Sequence, residues 1–400
     1  MNDSFLSRCE ALLGADHIDR TLDPPVLVPN TVELLCEAVR LINDERLKIG
    51  IIGGGTCSVP RAGFPLVPVS TAGLSGVTEV NPADFNIIAR AGTTVDRAVD
   101  EAAAANLLLP LDIISGSRAT VGGAFMTGAV APSDAGYGPF RKAVTGIRGV
   151  SAEGKVVRFG GRTTKNVTGY DITWFLGGTL GLYAIATELI IKVHPLPESR
   201  IVAVARMQTG PVRAGAVLTP LSALPYRTSL ELVAPEGMAG VITVAVGIEG
   251  MAPLVERSRE RCRELLNTTG TIEYREDSPD SFFRGFRRQA AEPFVGPGLL
   301  TISIPPAAAS SMLERLSAIA PEAPVIAHPI LGRFHVSCSG AANELEKMSL
   351  AIGGKRPVSW SEAFTGGLSG LFTDGELTIA RALKRELDPD GILNPHLKLL

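Results

Sequence analysis

KIGIIGGGTCS, residues 48–58, is a short apolar run that stops at three consecutive glycines. Such a run suits a buried strand whose end opens into a tight loop. Three readings of the loop compete: an empty turn, a dinucleotide loop and a nest for a diphosphate. A dinucleotide loop needs GxGxxG leading directly into a helix, with an acidic residue roughly 20 positions further on. Here Pro60, Gly63 and Pro65 follow, and proline excludes a helix starting on the third glycine. The Walker pattern is absent too, because no Gly-Lys-Ser/Thr closes the loop. The empty turn and the diphosphate nest both remain, since consecutive N–H groups of a glycine loop can converge on one anion.

Working outward, Asn30 with Glu33 matches a capping box, and Val32, Leu35, Cys36, Val39 and Ile42 recur at helical spacing, so a helix is expected over roughly 31–45. FNIIARAG (85–92) reads as a strand, and Thr94 to Ala105 as a helix with Val95, Ala98 and Ala102 on one face. From Leu109 to Gly138 the chain is rich in Gly, Ala, Ser and Thr without clear periodicity, which suits a segment wrapped closely round a ligand. VTGIRGVSAEGKVVRFG (144–160) reads as a hairpin turning at Glu153-Gly154, and ELIIKVHPLPE (188–198) as a strand entering a proline-rich linker. A boundary is expected near Leu196. Beyond it RIVAVARM, SLELVAP, GVITVAVGI, LLTISIP and RFHVSC are strand-like, and LVERSRERCRELLNTT (254–269) is an amphipathic helix. The fold class expected is α+β. A first domain, residues 1–196, is followed by a smaller α+β domain, 197–375, with a mostly antiparallel sheet. A terminal helix and tail, 376–400, pack back on the first domain.

With 45% apolar and 20% charged residues, the 400-residue chain can bury two ordinary cores. A net charge of −3 with no basic stripe argues against nucleic acid as a partner. The first residues show no basic region before an apolar stretch, so a secretory signal is not expected. No apolar run approaches the ~20 residues that span a bilayer. The five cysteines, Cys9, Cys36, Cys57, Cys262 and Cys338, are scattered without a CxxC pair, which reads as reduced structural thiols in a cytoplasmic protein.

Four further stretches take their place beside the glycine loop: LPLDIISGSRATVGGAFMTGA (109–129), YGPFRKAVTGIRGVSAEGKVVRFGGRTTKNVTGYD (137–171), FLGGTLGLYAIATELIIKVHP (175–195) and the tail LKRELDPDGILNPHLKLL (383–400). In order and spacing they resemble the FAD-binding flavoproteins of the vanillyl-alcohol oxidase and p-cresol methylhydroxylase type. GGRTTKNVTGYD, with Lys165, Asn166, Gly169, Tyr170 and Asp171, is most similar to the small FAD-binding subunit of bacterial glycolate oxidase. The resemblance implies a two-subdomain FAD-binding domain followed by a cap domain. It assigns Gly53, Gly54, Gly55, Thr56, Cys57 and Ser58 to the pyrophosphate. It puts Ser115, Gly116, Thr120, Gly122, Gly123, Thr127 and Gly128 in a second flavin segment, and Gly181 and Ile185 beside the cofactor. Leu182 and Ala184 depart from the family pattern. Some relatives place a flavin-linking His just after the glycine run, where Thr56-Cys57 stands here, so the FAD is expected to be non-covalent.

Oxidising a 2-hydroxy acid on a flavin needs a base, a cation for the carboxylate and a hydride acceptor in position. The D-2-hydroxyacid dehydrogenases of this superfamily carry HxGDGNxH and a later EHG. Here HPILGRFH keeps His328, Gly332 and His335 but not the Asp and Asn, and SWSEAFTGG offers Glu362 followed by Ala363. Two imidazoles and a carboxylate make a reasonable divalent site, so His328, His335 and Glu362 are the metal candidates. His335 and Arg333 are the catalytic candidates; the alternative for each is a satisfied structural residue. Arg284, Arg287 and Arg288 in FFRGFRRQ read as a solvated helix face or as a surface for an acidic partner.

Three functions stay open. The chain is an FAD-carrying subunit that relays electrons for, or supports, a catalytic FAD subunit and an iron–sulfur subunit, attached to the inner face of the membrane only through them. It is a self-sufficient dehydrogenase of a small 2-hydroxy acid. Or it is a non-catalytic scaffold.

Overall fold

The computed structural model describes residues 3–56, 66–113, 118–162, 171–208, 211–267, 271–290, 299–337, 342–355, 358–359 and 374–397. Its strands fall into separate sheets. A four-stranded sheet runs in the order Ile18–Asp19, Val26–Leu27, Leu66–Ser70, Lys48–Ile52, with the last three strands parallel. A five-stranded antiparallel sheet follows in the order Val77–Asn81, Asn86–Arg90, Ile185–Lys192, Val144–Val150, Val156–Gly160.

The helix Val32–Asp44 covers the first sheet because Leu35, Val39 and Ile42 recur on one face, and all three are fully buried with Ile49 and Val69. Each such side chain contributes about 1.5–3 kcal/mol. The expected cap is displaced by one residue. Thr31 is the N-cap, its hydroxyl accepting from Leu34 N at 3.1 Å, while the Asn30 amide meets His17 Nε2 at 3.0 Å. The helix Val95–Ala104 is capped by Thr94 and buries Val95, Ala98 and Ala102, as its spacing predicts.

Every strand of the eight-stranded sheet lies at or beyond Ser199. The order is Thr271–Asp277, Ser199–Met207, Ile242–Gly250, Arg227–Ala234, Val325–His328, Arg333–Ser337, Leu299–Ser303, Val358–Ser359, antiparallel throughout. Its two faces separate by the period of two that strand geometry imposes. Leu230, Leu232, Val244, Val246, Ala327, Phe334 and Val336 join a core with the helices Pro211–Ser222, Ala252–Asn267, Ala309–Ile319 and Ala342–Ala351. The alternate residues Glu231, Glu249, His328, Arg333 and His335 therefore stand on the other face. That face meets the first half of the chain: Tyr137 Oη donates to Glu249 at 2.5 Å. A Cβ on Gly136 would lie 2.8 Å from Thr228 Cα, so only glycine lets the short helix Asp134–Tyr137 sit this close.

Candidate functional site

The strand Lys48–Ile52 ends at Gly53, and the loop it enters lies against the helix Val121–Thr127. A Cβ on Gly53 would come within 2.8 Å of Thr120 Oγ1, and one on Gly54 within 1.6 Å of Arg118 O. The second contact is backbone on backbone, which no rotamer relieves. Thr120 caps the facing helix by accepting from Gly123 N at 3.1 Å, and Gly122 passes the Ala91 backbone where a Cβ would approach Ala91 O to 2.7 Å.

Between these segments lies a cleft. Gly53, Gly54, Gly55, Thr56, Thr120, Gly122, Gly123, Thr127 and Gly181 all line it. Residues far apart in sequence are thus brought to one wall by two parallel strands and one short helix. A long, flat, polar-ended ligand fits such a lining: the walls are backbone and small side chains, and the threonine hydroxyls can take phosphate or ribityl oxygens. The residues present therefore fit FAD, which supplies a two-electron acceptor when bound.

Two expected contacts lie elsewhere. Ile185 is fully buried in the core with Val150 and Leu393, because it opens the strand Ile185–Lys192 on its inward face. Gly128 is the left-handed C-cap of the helix Val121–Thr127, at φ 62°. Of the departures from the family pattern, Ala184 lines the cleft and Leu182 packs in the core. Cys57, Ser58, Ser115, Gly116 and Glu362 lie outside the described residues, as do Lys165, Asn166, Gly169 and Tyr170. Asp171 caps the helix Ile172–Leu176 by accepting from Trp174 N at 2.8 Å. Sequence reasoning missed Thr71, Asn394, His396 and Leu397, which also line the cleft. The last three belong to the tail, where NPH following DPDGIL is the only local signal.

The cap-side candidates form a second, closed group. His328 and His335 sit edge to face with centroids 5.5 Å apart, and His328 is 1% exposed. Glu231, equally buried, stands opposite on the neighbouring strand, its Oε2 2.5 Å from His328 Nδ1. Burial drives both groups towards neutrality. It lifts the Glu231 carboxyl well above the usual carboxylate range, with Asp112 adding repulsion. It pulls His328 down to about 4 and His335 to about 3. Both shifts run towards the uncharged forms rather than towards a salt bridge.

His335 Nδ1 is 3.0 Å from Thr301 Oγ1, and Arg333 donates to Ser303. From the other side of the seam come Asp112, held by Ser133, and Asp134, whose carboxyl accepts from Ala131 N at 3.2 Å. Burial raises Asp112 and pushes Asp134 up to about 8. Among the described residues no group of three His, Cys, Asp or Glu side chains is arranged to hold a metal. Arg284 is paired with Asp100 on the helix Val95–Ala104, and the pair stays partly exposed to solvent.

Residues 24–160 match the model of the FAD binding domain. The chain is 26% identical to glycolate oxidase subunit GlcE of Escherichia coli over 346 residues, 80% of this chain and 83% of that one. It is 24% identical to an uncharacterised FAD-linked oxidoreductase of Mycobacterium tuberculosis over 414 residues, 92% of this chain and 89% of that one. The structure of p-cresol methylhydroxylase with substrate bound superimposes with a TM-score of 0.75 at 14% identity, covering 100% of this chain and 98% of that one. The chain thus carries an FAD binding domain and has the fold of p-cresol methylhydroxylase.

Proposed function

We propose that the chain is the FAD-binding subunit of a glycolate oxidase-like 2-hydroxyacid dehydrogenase complex, relaying electrons for, or supporting, a catalytic flavoprotein subunit. The observation that carries this reading is the closed cap face. His328 is buried against Glu231 inside the seam, and the half-buried His335 has its Nδ1 engaged by Thr301, so neither imidazole stands free to meet a 2-hydroxy acid. The similarity to a glycolate oxidase subunit, which spans most of both chains, supports the same assignment. The FAD is non-covalent, with Gly53, Gly54, Gly55 and Thr56 at its pyrophosphate. Residues 1–196 form its domain, 197–375 the cap and 376–400 the closing segment. The chain works on the cytoplasmic side, and any membrane contact is through partners; no helix among the described residues is long and apolar enough to cross a bilayer.

The test is isolation of the tagged chain from its own cells. A second flavoprotein and an iron–sulfur protein should accompany it. The chain alone should keep its flavin oxidised when mixed with glycolate or D-lactate. Bleaching of the flavin in the isolated chain would overturn the relay and favour a self-sufficient dehydrogenase.

A further inference from the structure

The segment Asp388–Leu397 is attached far more firmly than a chain end requires. Ile49 N donates to Ile392 O at 2.8 Å and Asn394 N to Ile49 O at 2.9 Å, so the tail adds a parallel rung beside Lys48–Ile52. Asn394 stands at φ 48°, a left-handed conformation that non-glycine residues seldom adopt. Its side chain holds it there: Oδ1 accepts from Ile51 N at 2.7 Å and Nδ2 donates to Leu180 O at 2.6 Å.

Behind Asn394 lies Lys384, a buried ammonium. It donates to Asp388 Oδ2 at 2.5 Å, Leu182 O at 2.6 Å and Leu393 O at 2.7 Å. Three acceptors match its three N–H bonds. The Asp388 carboxylate accepts in turn from Ile392 N and Leu393 N, both at 2.8 Å. A buried charge is tolerated only when so completely paired, and here the pairing joins the tail to the turn 180–182.

The groups fastened in this way flank the FAD cleft. Ile51 and Leu180 line it, as do Gly181, Asn394, His396 and Leu397. His396 is 6% exposed, and burial pulls its imidazole down to about 4. It therefore offers the cleft a ring that both donates and accepts hydrogen bonds without adding charge.

We propose that His396 is a flavin-contacting residue, and that Lys384 is the positioning residue that holds the Leu393–Leu397 segment against the cofactor. FAD binding and docking of the tail are then one coupled equilibrium. The inference rests on FAD binding and is independent of whether the chain relays electrons or oxidises substrate.

The test uses the full chain stripped of flavin and titrated with FAD. His396→Ala should weaken FAD binding about tenfold or more and shift the visible flavin bands, and His396→Gln, which keeps a donor and an acceptor, should recover most of the affinity. Lys384→Met should weaken binding to the same degree with His396 still in place. In the wild-type chain, FAD should slow amide exchange in 388–397 at least tenfold, a readout that stands even if Lys384→Met does not fold. Affinity within twofold of wild type and unchanged bands in His396→Ala would refute the contact. Equal exchange of the tail with and without FAD would refute the coupling.

Discussion

Asp134→Asn should stabilise the protein, and more so as pH rises. The carboxyl is 8% exposed at the seam, and burial pushes its pKa from 3.8 up to about 8. Below pH 3.8 the folded and unfolded chains both hold the proton. Between 3.8 and 8 the unfolded chain releases it and the folded chain does not, so stability is lost steadily across that window. At 1.36 kcal/mol per unit the loss reaches about 4 kcal/mol at pH 7 and roughly 6 kcal/mol at pH 8. Asparagine is neutral in both states and keeps an oxygen for the Ala131 N–H. Even a third of that relief, about 2 kcal/mol, would raise Tm by some 4–8 °C for a domain of this size. Calorimetry on the FAD-loaded chain at pH 4.5, 6 and 8 measures the difference between variant and wild type, so the histidines common to both cancel. Arg333 is the neighbouring cation that could oppose this, since its own charge interacts with Asp134. Were Asp134 ionised and paired with Arg333, the variant would melt lower than wild type at pH 8, and the reasoning would fail.

Three further outcomes follow from named contacts. Glu231→Gln should change Tm by less than about 2 °C at pH 7, because burial drives the carboxyl towards its uncharged form opposite His328; a large drop would mean that the pair is ionic. His328 and His335 stay neutral down to about 4 and 3. As pH falls below 6.5 the unfolded chain takes up protons that the folded chain refuses, which costs roughly 3 kcal/mol per imidazole by pH 4 against the opposite trend of the raised carboxyls; the Tm of His335→Gln relative to wild type should therefore rise as pH is lowered from 6 to 4. Gly54→Ala, whose Cβ would meet Arg118 O at 1.6 Å, should cost about 1–3 kcal/mol or more and leave the purified chain colourless, whereas Gly161→Ala, with nothing within 4 Å, should keep its flavin and its Tm.

The glycine loop was legible because its signal is local: a strand, three glycines and prolines that forbid a helix sit within a few residues of one another. Ile185 is harder to place from the sequence for the opposite reason. It lies next in sequence to a cleft residue, Ala184, and a strand turns successive side chains to opposite faces, so one position separates a ligand wall from a core. Asn394 was out of reach because the groups it meets, Ile51 and Leu180, are 343 and 214 positions away. The seam was legible in principle. Alternation along SLELVAP and RFHVSC puts Glu231 on the face opposite Leu230 and Leu232, and His335 on the face opposite Phe334 and Val336. What alternation cannot supply is strand order, and only the pairing of Arg227–Ala234 with Val325–His328 brings Glu231 to His328.

The two halves of the site also differ in what evolution could have altered without losing the fold. The flavin cleft is built from backbone and small side chains whose replacement clashes at once, as at Gly54, so it is held by packing. The cap face is held by pairings among polar groups, and these can close on themselves. An imidazole at about 4 or 3 is a poor base near neutral pH, where a catalytic base works best with a pKa close to the ambient value. The burial that lowers His328 also denies a substrate access to it. On the proposed reading, catalysis by these imidazoles would require opening the seam around His328 as well as replacing a side chain.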